Sequence, residues 1–562
     1  PPIRLRLGAL LVAMLVAFGA IGVRLFNLQA RDQRELHSLA LSQRVQTITL
    51  PAERGSIFDR NGADLAASVP QTTISADPRV IDDPIAYAAK LAPIVGADQA
   101  ALEALLSKPK SQFAYVARKV DDDTVKQVKA LDLPGLAYTP ESKRFYPSGT
   151  LAGPVLGLVG TDNTGLGGLE YQYEHLLEGT PGEARLERDP QGNEIPGSSR
   201  LVTASQRGSD LVLTLDQAIQ WNTEQVLTQQ VTDTNAKGGT AIVMDVQTGD
   251  ILAMVTVDGA DDQHPEATRA SNADNNAPVT NVFEPGSTNK VITMAGAIQE
   301  GIVTPDTSFD DIYMEKQVGD TVYKDEDAHG SVMSVAEILQ HSSNVGTIKI
   351  AGLLGKERLD QYLRAFGFGR TTALDFPGEG EGILLPLQDF NDTSMGSIPI
   401  GNGISVTALQ MLDVYATIAN GGMARAPRLV GATVDADGTR HDEPLAAPHQ
   451  VVSASTASQV NGMLQGVVEG GTGVKAKVPG YATAGKTGTA RKPPYDTPPY
   501  RYVASFAGFA PANSPRLAAI VVIDEPSGGS YFAADVAAPV FKQVMQQALV
   551  YERIPPTESA QP

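Results

Sequence analysis

The chain has 562 residues, too many for one ordinary hydrophobic core, so two or more domains are expected. Its composition, 42% hydrophobic and 19% charged, is that of a folded protein, and a formal charge of −20 argues against nucleic acid, whose phosphates call for a basic surface. Cysteine is absent and the seven histidines are scattered, with no HExxH or other ligand pair at helical spacing; this excludes disulfides and thiolate catalysis and speaks against a metal or other cofactor.

In chain order, the first element is "LGALLVAMLVAFGAIGV", Leu7 to Val23, seventeen uncharged residues that Phe26 and Leu28 extend past Arg24. At ~1.5 Å per residue the run nearly matches a ~30 Å hydrocarbon layer, with Arg24 able to snorkel to the interface. A cleaved signal peptide would have a shorter apolar region and a small-residue cleavage site, and "VRLFNLQARDQ" offers none. We therefore read residues 7–28 as a membrane anchor. Arg4 and Arg6 precede it, which places the N-terminus in the cytoplasm and the rest outside. Residues 1–6, which begin Pro-Pro, are expected to be the remnant of a cytoplasmic tail.

Residues 29–206 form a mixed α/β stretch with the character of a pedestal. "SQRVQTITLPAERGSIFDRNGADLAAS" reads as a strand, a turn at Arg54-Gly55 and a second strand closed by the hairpin dipeptide Asn61-Gly62. Ala86 to Leu106 and Asp121 to Leu131 carry apolar residues at helical spacing. "TPGEARLERDPQGNEIPG" is a strand followed by a Gly/Pro-rich loop, and Arg54, Arg144 and Glu170 read as salt-bridge or turn residues.

A second domain, residues 207–550, opens with the strands Asp210 to Leu215 and Thr240 to Asp245 around an amphipathic helix, Gln217 to Thr232. "AIVMDVQTGDILAMVTV" is strand, turn, strand; helical patterns follow at 291–299, 335–341, 356–365 and 406–420. "YVASFAGFAPANSPRLAAIVVID" supplies two more strands, and residues 539–550 a closing helix before a flexible tail, 551–562. Strand pairs at both ends with helices between them predict an α+β domain, an antiparallel sheet flanked by helices.

Within this domain "FEPGSTNKVITMAGAIQEG" sets Ser287 three positions before Lys290, where a loop becomes a helix. Residues i and i+3 share a helix face, so the lysine amine could take the serine proton, provided burial or a neighbouring cation keeps it neutral. Alone the pair is weak: "SKPK" repeats the spacing at Ser107 and Lys110, where Pro109 spoils a helix interior. Its company makes it specific. "QHSSNVG" brings Ser342, 55 positions after Ser287, and with it Asn344, and "AGKTGTARK" brings Lys486, Thr487, Gly488 and Thr489, with Lys486 199 positions after Ser287. A serine beside the base can relay a proton, an asparagine can fix an amide, and a second lysine can supply the field that keeps Lys290 neutral. A glycine lets backbone come close on an edge strand, and the threonines can bind a carboxylate.

With these three motifs in order, the chain resembles the class B penicillin-binding proteins, most closely the septal peptidoglycan transpeptidases of bacterial cell division. The resemblance covers nearly the whole chain. "ERGSIFDRNG" and "RFYPSGTLAGPVLGLVGTDNTGLGGLEYQYEHLLEGTPG" look like hallmarks of the family's pedestal, a dimerisation-type domain, and "HGSVMSVAEILQHSSNVG", "IGNGISVTALQ" and "FAGFAP" of its β-lactamase-like transpeptidase domain. It implies Ser287 as acylated nucleophile, Lys290 as base, Ser342 as proton relay, Asn344 as donor-peptide holder and Lys486 with Thr487 as the strand wall, with Thr487, Gly488 and Thr489 binding substrate. The backbone N–H groups of Ser287 and Thr489 would form the oxyanion hole.

The second motif reads S-S-N rather than S-D-N, which favours a penicillin-binding protein over a β-lactamase, and Asn289 should point away from the cleft. The implied reaction cross-links stem peptides of nascent peptidoglycan with release of D-alanine, at the division site of the cytoplasmic (inner) membrane, and β-lactams would be trapped on Ser287. No glycosyltransferase domain fits between anchor and pedestal, so a membrane-embedded glycan polymerase and other division proteins are expected as partners through the anchor and pedestal. The alternatives are an elongation-type transpeptidase and a membrane-anchored β-lactam receptor or scaffold. His329 reads as a structural residue at the turn before the Ser342 helix, and nothing assigns a role to His341.

Overall fold

A computed structural model describes residues 3–27, 29, 45–108, 110–187, 195, 200–259 and 275–557. The N-terminal apolar run is one helix, Ile3–Phe26, of 24 residues, long and apolar enough to cross a membrane. It begins four residues before the expected span, so Arg4 and Arg6 lie on the helix itself. The chain divides into two compact units: residues 1–53, 69–143 and 179–208 form the smaller, and residues 54–68, 144–178 and 209–562 the larger.

In the smaller unit, Val45–Leu50, Gly182–Glu187 and Arg200–Thr203 make a three-stranded antiparallel sheet. The Gly/Pro-rich loop expected after the second of these lies, apart from Ile195, outside the described residues. A separate core of Ile74, Leu91, Leu106 and Val128 joins a strand pair to three short helices. The apolar period from Ala86 to Leu106 is carried by two helices rather than one, Pro84–Val95 and Gln99–Leu106. Gly96 takes a left-handed φ of 70° that ends the first, and Asp98 caps the N-terminus of the second. The second helix stops at Leu106, so Ser107 is a helix end and its hydroxyl donates back to Glu103 O.

The larger unit is built on a five-stranded antiparallel sheet in the order Ile251–Asp258, Gly238–Asp245, Leu517–Asp524, Arg501–Ala510, Ala484–Lys492. Its central strands are apolar on both faces because helices cover both. On Leu517–Asp524, Ala518, Ile520 and Val522 enter one core while Leu517, Ala519, Val521 and Ile523 enter the other, the two-residue period of a strand buried on two sides. Gln217–Asp233 and Ala538–Tyr551 pack on the second face; Lys290–Gln299, Ala408–Ala419 and Ala454–Gly470 lie on the first.

Residues 54–68 and 144–178, which fall inside the 29–206 stretch, pack with this larger unit. Ile57–Phe58 pairs in parallel with Asp210–Leu213, and Arg54 and Arg144 close on Glu170 from two sides, at 2.7 and 2.6 Å, with all three side chains buried. Of the two readings of these residues, salt bridge or turn, the structure shows the salt bridge, and Arg54-Gly55 is not a turn. Residues 552–557, expected to be flexible, are also held: Ile554 is buried, its carbonyl accepts from Tyr481 Oη, and Thr557 N–H donates to Gly480 O.

Candidate active site

Three segments far apart in sequence meet beside the free edge of the five-stranded sheet. The first is the serine turn. Val282–Phe283 pairs with Val406–Thr407 and delivers the chain to Pro285, after which Gly286–Asn289 forms a 3-10 turn that runs into the α-helix Lys290–Gln299. The tighter winding still sets Ser287 and Lys290 one above the other, since side chains at i and i+3 eclipse in a 3-10 turn. Neighbouring elements clamp it: Gly286 N–H donates to Gly401 O, Tyr415 Oη to Thr288 O and Asn289 Nδ2 to Ile398 O. The Asn289 amide is therefore turned into the protein. Every residue from Lys290 to Ile298 is buried, so this is a central helix, apolar all round except for its lysine and Thr293. Ser287 stands half-buried at its mouth.

The second segment is the turn before the helix Asn344–Leu354. Lys290 Nζ donates to Ser342 O at 2.5 Å, Ser342 Oγ at 3.2 Å and Asn344 Oδ1 at 2.7 Å. Ser342 has a φ of 60°, a left-handed conformation that costs a non-glycine residue on the order of 1–3 kcal/mol. That backbone turn aims both of its oxygens at one ammonium. Of the three acceptors only the Ser342 hydroxyl can also donate, so a proton leaving or reaching Lys290 by this route passes through Ser342 Oγ. Ser287 Oγ has no hydrogen-bond partner among the described residues and stays available to a reactant.

The third segment is the strand Ala484–Lys492, the edge of the sheet, paired among the described residues only with Arg501–Ala510. Lys486 is fully buried, with Nζ 3.2 Å from Thr487 O and 3.4 Å from Thr472 Oγ1, and the Thr472 and Thr487 hydroxyls are 2.8 Å apart. Gly488 is required by contact: a Cβ there would lie 2.5 Å from Pro285 O and 2.8 Å from Ser505 Oγ. The strand thus runs against the serine turn, backbone to backbone, and Thr489 Oγ1 accepts from Ala533 N–H. Beyond the turn a cavity of about 710 Å³ opens between Phe283–Glu284 and Ala490–Lys492.

Burial pushes Lys290 down to about 7, against the opposing pull of Asp325 and Glu326. Burial, and after it the charge of Lys290, holds Lys486 well below the ordinary lysine range. Of the two causes the sequence allows for a neutral Lys290, burial or a neighbouring cation, burial comes first, and the repulsion between the two lysines is felt at Lys486. Near neutral pH a sizeable fraction of Lys290 is a free amine.

Three site neighbours went unread in the sequence. Asp325, in "KDEDAHG", accepts from Ser343 Oγ and from the backbone of Asn344 and Val345. Thr472, in "GGTG", partners Thr487 and Lys486. Glu284, next to Pro285, takes Asn402 Nδ2, Gly403 N–H and Tyr495 Oη. None has a motif of its own; only the acid four residues before His329 hinted at a pair. His329 sits where a structural residue was expected, with Nε2 2.7 Å from Asp325 Oδ2.

Residues 239–546 match the model of the penicillin binding protein transpeptidase domain, and residues 49–213 that of the penicillin-binding protein dimerisation domain. The chain is 33% identical over 557 residues to stage V sporulation protein D of Bacillus subtilis, covering 97% of this chain and 86% of that protein. It is 34% identical over 522 residues to the peptidoglycan D,D-transpeptidase FtsI of Escherichia coli, with 92% and 86% covered. The crystal structure of penicillin binding protein 3 from Mycobacterium tuberculosis, complexed with aztreonam, aligns with a TM-score of 0.70 at 30% identity, over 92% of this chain and all of that one.

Proposed function

The chain belongs to the class B penicillin-binding proteins, and from that membership we propose that it is a septal peptidoglycan D,D-transpeptidase working through an acyl-enzyme on Ser287. The observation that carries the residue assignment is the placement of Lys290. It is a fully buried amine, held by Ser342 and Asn344, facing a second buried lysine, one 3-10 turn from a serine whose hydroxyl is unengaged among the described residues.

In this reading Ser287 Oγ attacks the carbonyl of the penultimate D-alanine of a stem pentapeptide, and its proton passes to neutral Lys290. The backbone N–H groups of Ser287 and Thr489 hold the oxyanion. The C–N bond to the terminal D-alanine then breaks, and the departing amine takes the proton from Lys290 by way of Ser342 Oγ. An amine from a neighbouring strand attacks the ester, the new amide forms, and the Ser287 hydroxyl is restored by the same path in reverse. Lys486, Thr487 and Thr489 bind the donor carboxylate at the edge strand. Gly488 keeps that strand close. Asn344 still has one N–H and one lone pair to hold the donor amide. A β-lactam acylates the same serine and blocks it.

The helix Ile3–Phe26 anchors the chain in the cytoplasmic membrane, N-terminus inside and both units outside, with glycan polymerisation supplied by a separate membrane partner that contacts this helix. Exchange of the helix for an unrelated span is expected to weaken co-purification with the polymerase; equal recovery would remove the helix from that role. The assignment of the nucleophile is tested with labelled penicillin. Ser287→Ala is expected to take up no label, and label retained by that variant would overturn it.

A further inference from the structure

Asp325 follows the hairpin formed by Glu315–Val318 and Thr321–Lys324. Its side chain is 3% exposed, and it collects four donors on two oxygens. Oδ1 accepts from the N–H groups of Asn344 and Val345, at 2.5 and 3.0 Å; Oδ2 accepts from Ser343 Oγ at 2.6 Å and from His329 Nε2 at 2.7 Å. Ser343 Oγ in turn accepts from Gly346 N–H at 2.9 Å. One carboxylate and one hydroxyl thus satisfy three N–H groups that the helix Asn344–Leu354 leaves free at its start.

That grip falls on the three residues immediately after Ser342, the one forced into the left-handed region with both oxygens on Lys290. The other side of the carboxylate is held by an imidazole in an unusual setting. His329 Nδ1 is 2.8 Å from Gly330 O, which can only accept, and Nε2 faces Asp325. Both ring nitrogens must donate, so the geometry calls for an imidazolium. The hydrogen bond to Gly330 O, and then the one to Asp325, hold His329 above its ordinary range against partial burial.

We propose that Asp325, clasped by His329, is a positioning residue for the transpeptidase reaction, locking the Ser342–Asn344 turn against Lys290 and supplying the counter-charge that faces Lys290 across that turn. This rests on the reading of Lys290 as the base. The charged groups that face Lys290 are Asp325 and Glu326 from this loop and Lys486 from the edge strand; those that face Asp325 are His329 and Lys290. Other charged side chains on the packed elements are turned to partners of their own: Lys324 to Glu315, Lys349 to Asp311, Glu337 to Ser334. The clasp therefore has one acid and one imidazolium, and the base on the far side of the turn.

The test measures acylation of the full chain in detergent by labelled penicillin as a function of pH. Asp325→Asn keeps the shape and most of the grip: the amide oxygen still accepts from Asn344 and Val345, and its N–H₂ can donate to a neutral His329 and to Ser343 Oγ, whose own proton loses its acceptor. The carboxylate charge is lost, and with it the charge on His329. The acid limb of the acylation profile is expected to move to lower pH, because a negative group that favoured the Lys290 ammonium is gone, while the unfolding temperature stays near that of the parent. Asp325→Ala also removes the grip and is expected to slow acylation about 100-fold across the profile, the scale of a small misplacement of reacting groups. His329→Ala should slow acylation, and His329→Gln, which still offers an N–H to Asp325, should restore it. An unmoved acid limb in Asp325→Asn, or a parental rate in Asp325→Ala, overturns the proposal. Should Asp325→Ala fail to fold, the limb in Asp325→Asn decides. Ser287→Ala runs alongside: label on that variant overturns the reading of the site, whereas an unlabelled Ser287→Ala with an unmoved limb overturns the clasp alone.

Discussion

Two clusters of buried charge lie within the larger unit, and each treats its ions differently. Around Glu170, the guanidinium groups of Arg54 and Arg144 close on one carboxylate, with Glu174 taking a further Arg54 nitrogen at 2.7 Å. Opposite charges meet in good geometry, and the cluster ties residues 54, 144 and 170 into one piece. Around Lys290 the balance runs the other way. Two lysines are fully buried within reach of each other's charge, the carboxylates Asp325 and Glu326 only partly offset the cost of burial, and Lys290 falls to about 7. Paired burial gives a rigid joint; burial that its carboxylates only partly offset gives an amine that can act as a base.

The largest effect is expected at Lys290. An arginine keeps the charge but cannot surrender it near neutral pH, so Lys290→Arg is expected to lower the rate of acylation by labelled penicillin by about 10²–10⁴-fold, the range of general-base catalysis. A rate within threefold of the parent would show that no proton needs to leave this position. A milder probe is pH. If Lys290 is the proposed base, its free amine is the reactive form, and with Lys290 at about 7 acylation of the parent should rise as pH increases through that region and flatten above it. A profile flat from 5 to 9 would separate catalysis from this lysine. The smallest effect on chemistry is expected at the paired cluster. Glu170→Gln removes a buried counter-charge from two guanidiniums and should cost about 3–5 kcal/mol of stability, read as a lower unfolding temperature at fixed scan rate, while acylation per folded molecule is unchanged. A matching fall in acylation rate would join the two clusters into one functional unit.

Much of the architecture is carried by local patterns that a reader of the chain can follow. Leu517–Asp524 is apolar up to Ile523 because both of its faces are covered, and the pair of strands around Thr248-Gly249 is announced by its turn. Lys356–Ala365 coincides with its helical period. Patterns failed where one conformational residue outweighs periodicity, as at Gly96, or where an isolated tail finds a surface, as at Ile554. Arg54 reads as a salt-bridge or a turn residue, and nothing local decides between them, because its partner Glu170 lies 116 positions away.

The motifs Ser287–Lys290, Ser342–Asn344 and Lys486–Thr489 were legible as residues, order and spacing, since each is a short contiguous pattern. Tertiary structure alone decided how they meet: that Lys290 is buried on a central helix, that desolvation lowers its proton affinity ahead of any field from Lys486, and that Ser342 adopts a strained backbone to face it. Asp325, Thr472 and Glu284 joined the site only through folding. The reason is physical. Periodicity and turn chemistry are written within a few neighbouring residues, whereas burial and charge–charge interaction depend on distances through space, and the chain sets those only once the sheet edge, the serine turn and the helix Asn344–Leu354 have packed together.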